Sequence, residues 1–162
     1  MSKRVSGHLD DATFRRLSGE AGAPRSGEAI LVATTDEQGR PHPALLSYGE
    51  VLAVAPDVVR LLVAGGSTTA RNLAARGAIT LCLVTAAEGA IYVKARARPL
   101  PSLPALGAGG LAAYEARIEE VLADAPAAGE EARLTGGIAF VSGDPARQAA
   151  TWVARLDALR RA

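Results

Sequence analysis

A single cysteine, Cys82, stands in 162 residues, so the chain can form no internal disulfide and no second thiol completes a metal site. The two histidines, His8 and His42, lack the spacing of a zinc motif, and no metal ligand set is expected. Aromatic residues make up only 4% of the chain, and much of its apolar content is alanine. Small side chains bury little area, at about 25 cal/mol per Å² of apolar surface. Burial between subunits is therefore expected to supplement the core. No apolar run has the length of a membrane span. The start, Met1-Ser2-Lys3-Arg4-Val5-Ser6, leads into no apolar stretch and does not read as a signal peptide. A cytoplasmic location is the default expectation. A formal net charge of +1 gives no electrostatic case for nucleic acid. What is present is a globular composition, 49% hydrophobic and 22% charged, in a length that suits one domain over 1–162.

Periodicity and punctuation divide the chain into strands and short helices. The N-terminal helix falls within 8–18, with Asp10 and Asp11 at its start and Arg15 and Arg16 near its end. Leu9, Thr13 and Leu17, with Phe14, form its inward stripe. A loop, Ser18–Gly27, leads to a first strand at Ala29–Thr35. The turn Asp36-Glu37-Gln38-Gly39 joins it to a second strand at His42–Ala53, in which Gly49 suggests a bulge or a close approach to a ligand. The third strand is Val58–Val63. A helix follows over Thr68–Arg76, with Ser67 as N-cap and Gly77 as terminator. The fourth strand, Ala78–Thr85, turns through Ala86-Ala87-Glu88-Gly89 into the fifth, Ala90–Arg98. There Ile91, Val93, Ala95 and Ala97 face one way, and Tyr92, Lys94, Arg96 and Arg98 the other. Pro99–Gly110 reads as a connection. Leu111, Tyr114, Ile118, Val121, Leu122 and Ala125 fit a 3.6-residue period and predict a helix over 111–125. After a loop at Pro126–Glu131, a sixth strand at Leu134–Val141 precedes a last helix over 144–161, capped by Asp144 with Pro145 in its first position. The barrel strands thus lie in 28–98 and 134–142. Three hairpin turns favour antiparallel pairing, and the βαβ rhythm of a doubly wound fold is absent.

The stretch that carries chemistry is Val63-Ala64-Gly65-Gly66-Ser67-Thr68-Thr69-Ala70-Arg71-Asn72-Leu73. A strand ends in two glycines, and three hydroxyl side chains open a helix. The first N–H groups of a helix lack internal partners and carry partial positive charge, and glycines let a ligand reach the backbone. Together these suit a phosphate. The P-loop pattern is missing. Local chemistry leaves open an ordinary N-cap, with Ser67 capping and Thr68-Thr69 exposed. Elsewhere, His42 reads as an edge-strand residue, Cys82 as a buried inert thiol, and Trp152 as core or interface packing. No Ser/His/Asp order stands out, and no catalytic acid or base is identified.

Ile30–Leu83 resembles the pyridoxamine 5′-phosphate oxidase-like family of FMN-binding split barrels. The resemblance rests on the turn Asp36-Glu37-Gln38-Gly39-Arg40-Pro41-His42, on Leu45-Leu46-Ser47-Tyr48-Gly49, and on Ser67-Thr68-Thr69-Ala70-Arg71-Asn72-Leu73 leading into the strand Ala78–Val84. It implies a mainly β, α+β fold: a six-stranded antiparallel split β-barrel with peripheral helices. It further implies a homodimer with FMN in a cleft at the subunit interface. Carried over, Ser67, Thr68 and Thr69 bind the phosphate with Arg71 nearby, and Pro43, Ala44, Leu45, Leu46, Leu62 and Val63 lie along the flavin ring. The resemblance assigns no contact to Lys94 or Arg96, but their shared face on the fifth strand makes them candidates for a polar wall contributed by the second subunit. The family often has Ser-Arg-Lys where this chain has Ser67-Thr68-Thr69, so two cations are missing. The implied function is a flavin-dependent oxidoreductase of unstated substrate. The alternatives are a non-catalytic flavin or phosphorylated-ligand binding module with the same dimeric fold, and a split barrel kept only as a dimerisation scaffold.

Overall fold

The computed structural model describes residues 2–20, 27–86, 89–101, 103, 110–124 and 134–162. The expected loops at Ser18–Gly27, Pro99–Gly110 and Pro126–Glu131, the turn at 86–89 and Ala125 fall wholly or partly outside these residues. Along the chain run β1 (Lys3–Ser6), α1 (Asp11–Leu17), β2 (Glu28–Thr35), β3 (Pro41–Ser47), a 3-10 turn (Tyr48–Glu50), β4 (Val51–Ala55), β5 (Val58–Ala64), α2 (Thr68–Arg76), β6 (Ala78–Thr85), β7 (Gly89–Pro99), β8 (Leu111–Asp124), β9 (Ile138–Ala139) and α3 (Pro145–Arg161).

The strands form one antiparallel sheet in the order β3-β2-β6-β7-β8-β5-β4, with β1 added to β8 and β9 to β2. β3 and β4 stand at opposite ends of this order yet are consecutive in the chain, joined by the 3-10 turn. The sheet therefore curls until its ends meet at that turn, which makes a barrel that is split rather than sealed. The inward residues Ile30, Val32, Val59, Leu61, Leu81, Val93 and Ala116 are each 0% exposed and form the core. A second cluster, Leu52, Leu62 and Ala113 with Leu156 and Leu159, packs α3 on the outside of β4, β5 and β8.

The three expected hairpins form, at β2–β3, β4–β5 and β6–β7. Asp10 caps α1 by accepting from the Thr13 amide at 2.7 Å, and Leu9, Thr13 and Leu17 are buried as expected. Asp144 caps α3 from the Arg147 amide at 3.0 Å. No described helix is long and apolar enough to cross a membrane.

Four expectations are corrected. The predicted helix over 111–125 is the strand β8, paired with β7 along one edge and with β5 and β1 along the other. Tyr114, Ala116 and Ile118 alternate inward; a bulge then drops Glu119 from the register with β7 and brings Val121 inward. The bulge shifts a period of two so that it imitates a helical stripe, and the Ala/Glu-rich composition adds a helix propensity that sheet packing overrides. The predicted second strand breaks in two at Tyr48–Glu50. There the Glu50 carboxylate accepts from the Ser47 amide at 2.8 Å and hydroxyl at 2.9 Å. Gly49 does make a close approach, but to the ring of Trp152. Of the predicted sixth strand only Ile138–Ala139 pairs, with β2. Among the described residues the sheet has nine strands rather than six: the second is divided, β8 replaces a helix, and β1 is added, where Lys3-Arg4-Val5-Ser6 shows no apolar alternation and joins β8 by backbone pairing and an Arg4–Glu120 ion pair at 3.7 Å.

Gly77 ends α2 in the left-handed region, at φ 68°, and a Cβ there would lie 2.5 Å from the Ala97 carbonyl oxygen. Gly77→Ala is expected to lower stability by about 1–2 kcal/mol from backbone conformation alone, before the clash is added. A fall in the urea midpoint at unchanged m-value is the check.

Candidate functional site at the mouth of α2

β5 runs out at Ala64, and two glycines with different tasks follow. Gly65 is packed: its amide donates to the Gly110 carbonyl at 2.5 Å, and a Cβ would sit 2.8 Å from that oxygen. A Cβ on Gly66 would meet nothing within 4 Å, so this is the backbone a ligand can approach. Ser67 caps α2 by accepting from the Ala70 amide at 3.1 Å. Arg71, one turn into the helix, folds its guanidinium back over the mouth. Its Nη1 donates to the Gly66 carbonyl at 3.0 Å and its Nη2 to Thr68 Oγ1 at 2.8 Å.

Both hydroxyls act as acceptors in these bonds and so keep an O–H to donate. Ser67 and Thr68 are half-buried at the mouth, whereas Thr69 is 4% exposed and turned into the protein. The N-cap expectation holds for Ser67; the exposure expected of Thr68 and Thr69 does not.

The walls come from β3 and β5. β3 pairs with β2 on one edge, and among the described residues no strand pairs its other edge. On β5, pairing with β4 begins at Val51↔Leu61, so Leu62, Val63 and Ala64 run past the end of β4 while still paired with β8. Both strands thus border the split, and α2 packs against both. Along β3, Pro43 is exposed, Ala44 half-buried, Leu45 56% exposed and Leu46 buried. Leu62 and Val63 are fully packed, the first against α3 and the second in the main core. Only their backbone can meet a ligand.

Within one chain, Lys94 and Arg96 stand away from this mouth. Lys94 pairs with Glu120 directly across the sheet at 2.7 Å. Arg96 donates to the Arg76 carbonyl at 2.9 Å, at the opposite end of α2, where orphan carbonyls attract a cation. Arg60 does the same for α3 through the Leu159 carbonyl at 2.8 Å. Arg60 and Arg98 both engage Glu115, whose carboxyl is held below its ordinary value of 4.5, chiefly by the hydrogen bond from Arg98 and, against the opposing effect of burial, by Arg60. A depressed carboxyl stabilises the fold fully above its unfolded pKa and loses this contribution as pH falls through the folded one. The melting-temperature gap between wild type and Glu115→Gln is therefore expected to be widest near neutrality and to narrow with acid below pH 4.5.

Cys82 is half-buried rather than fully buried. It lies on the outer face of β6 across from Leu31 and Tyr92, and burial pushes its thiol pKa up. Tyr114, expected only as a packing residue, donates its hydroxyl to the Ala70 carbonyl of α2 at 2.9 Å. Tyr114→Phe is expected to cost about 1 kcal/mol in a denaturant melt. Among the described residues no group of His, Cys, Asp and Glu is placed to hold a metal ion.

No family model matches the chain. Uncharacterized protein YclD of Bacillus subtilis (strain 168) is 28% identical over 158 residues, across 94% of this chain and 96% of its own. A candidate pyridoxamine 5′-phosphate oxidase of Lactobacillus delbrueckii superposes with a TM-score of 0.58 at 16% identity, covering 74% of this chain and 98% of that one. A candidate of the same description from Listeria innocua gives 0.51 at 5% identity over 68% and 94%. HupZ of Group A Streptococcus gives 0.53 at 14% identity over 82% and 100%. The sheet order, the split between β3 and β5 and these superpositions agree: the chain has the split-barrel fold of the pyridoxamine 5′-phosphate oxidase-like proteins.

Proposed function

We propose that this chain binds FMN, with the phosphate at the mouth of α2 and the ring along the split between β3 and β5, and that it works as a flavin-dependent oxidoreductase. The observation that carries this reading is the guanidinium of Arg71 turned back onto Gly66 and Thr68. Where the family it resembles often has Ser-Arg-Lys, the chain has Ser67-Thr68-Thr69, and Arg71 returns one cation to the same mouth. The first N–H groups of α2, the Ser67 and Thr68 hydroxyls and Arg71 make a donor set that fits a phosphate. Thr69, being buried, supports the site through its amide. Pro43, Ala44, Leu45 and Leu46 offer an apolar wall, and Leu62 and Val63 offer backbone. FMN supplies the redox chemistry when bound, and the protein's part is to hold and orient it.

A homodimer belongs to the same reading. Leu45, Leu31, Cys82, Tyr92 and Leu122 are cross-strand neighbours in one row over five strands. All lie on the outer face, half-buried or exposed, and the row ends at Leu45 beside the split. A second copy laid on this face would bury it and close the mouth. Sedimentation is expected to give a dimer for the wild type and a monomer for Leu45→Asp.

One cation at the mouth instead of two favours a second reading, a flavin or phosphorylated-ligand binding module without turnover. Titration with FMN followed by absorbance tests the binding. A protein that stays colourless and leaves the FMN spectrum unchanged refutes it. Reduction of bound flavin by NADH or NADPH, followed by acceptor turnover, separates enzyme from binder.

A further inference from the structure

Asn72 follows Arg71 in α2 but is turned into the protein, whereas Arg71 is exposed. It is 5% exposed, and its Nδ2 donates to Thr34 Oγ1 of β2 at 2.9 Å. Thr34 is 2% exposed, and its hydroxyl in turn donates to the His42 carbonyl of β3, at a long 3.5 Å. A primary amide and a hydroxyl are costly to bury unless bonded, and an apolar pair of the same shape would carry no such demand. Side chain and backbone thus make a continuous polar path from the helix whose mouth suits a phosphate to the strand that borders the split. On the other flank Tyr114 holds the same turn of α2 through the Ala70 carbonyl. The helix is pinned from both sides by groups that pack poorly unless their bonds form.

We infer that Asn72 is a positioning residue: the chain Asn72–Thr34–His42 sets the mouth of α2 at a fixed distance from β3, so that one molecule can be gripped at both ends. The inference rests on the flavin reading, and it concerns the spacing of two half-sites rather than either half-site alone. A ligand that spans both halves must feel a change in spacing. A ligand that uses only one half should scarcely feel it. FMN spans both, whereas riboflavin lacks the phosphate.

Two measurements on full-length protein decide it. In the ligand-free protein, Asn72→Leu is expected to speed amide hydrogen exchange both at 67–71 and at 42–46, leaving β7 and β8 as they were. In titrations, Asn72→Leu is expected to weaken FMN about tenfold or more and riboflavin less than about threefold, a ratio that general loss of stability would not produce. Thr34→Val, which keeps the shape and removes the hydroxyl, should reproduce the effect, and the double variant should be no worse than either single one. The single variant Thr34→Val also serves if Asn72→Leu fails to fold. Equal weakening of FMN and riboflavin, or exchange changes confined to α2, overturns the inference. If the wild type takes up neither flavin, the flavin reading falls, and the exchange pattern alone still decides whether Asn72 couples helix to strand.

Discussion

Trp152→Ala is expected to lower the free energy of unfolding by about 3–5 kcal/mol, the range for removing a large buried aromatic ring. Trp152 is 3% exposed, lies edge-on to Phe140 with ring centroids 6.4 Å apart, and is seated on the 3-10 turn. A Cβ on Gly49 would fall 2.1 Å from Trp152 Cγ, so the ring lies flush against glycine backbone. One turn further along α3, Arg155 bonds Glu50 at 2.9 Å, the same carboxylate that fixes the Ser47 amide. The indole thus fills the corner where β3 becomes β4, and removing it leaves a cavity beneath the closure of the barrel. Gly49→Ala should be costly too, by about 1–3 kcal/mol, because the ring has no room to retreat. The two substitutions share one volume and should not add: in the Trp152→Ala background the Gly49→Ala cost should shrink, leaving only the contact with the remaining Cβ of residue 152, 2.7 Å from the added methyl. A loss under about 1 kcal/mol for Trp152→Ala in urea melts would contradict this packing.

Arg71→Ala is expected to weaken FMN binding by about 10- to 100-fold, the worth of a hydrogen bond to a charged group. Stability should move by no more than about 0.5 kcal/mol, since Arg71 is an exposed helix residue and alanine is the better helix former. Arg71→Lys should recover only part of the affinity, because a point charge cannot span Gly66 and Thr68 as the planar fork does. Added salt should reduce the wild-type affinity more than that of Arg71→Ala. Equal dissociation constants for wild type and Arg71→Ala by flavin fluorescence would remove Arg71 from the site.

The parts of this structure legible in the sequence were those whose signals are local. Ser67 and Gly77 bracket α2 at the expected residues because capping is decided within one turn of helix. The β7 alternation held because each residue there has one clear inside and one clear outside. The β8 segment misled because its bulge shows only against the register of β7, which lies outside the segment whose periodicity was read. At the mouth of α2, residue types and order pointed to a phosphate. They could not tell that Gly66 is open while Gly65 is packed, or that Thr69 is buried. Those distinctions depend on Gly110 and on the core, which close on the motif from elsewhere in the chain. Asn72 was visible only as a member of the motif; its partner Thr34 has no local signature.

The long strand β8 also governs the order in which the protein can be completed. β5 and β7 both lean on it, one along each edge, and neither is bonded to the other. During synthesis the hairpins β2–β3, β4–β5 and β6–β7 emerge before Leu111 is added, so two sheet fragments wait for the piece that joins them. A nascent chain stopped at that stage displays two long bare edges, one rich in valine and leucine, which invite pairing with other chains. Fragments ending before residue 111 should therefore precipitate or be captured by chaperones, and soluble protein should be recovered only once that strand has been made.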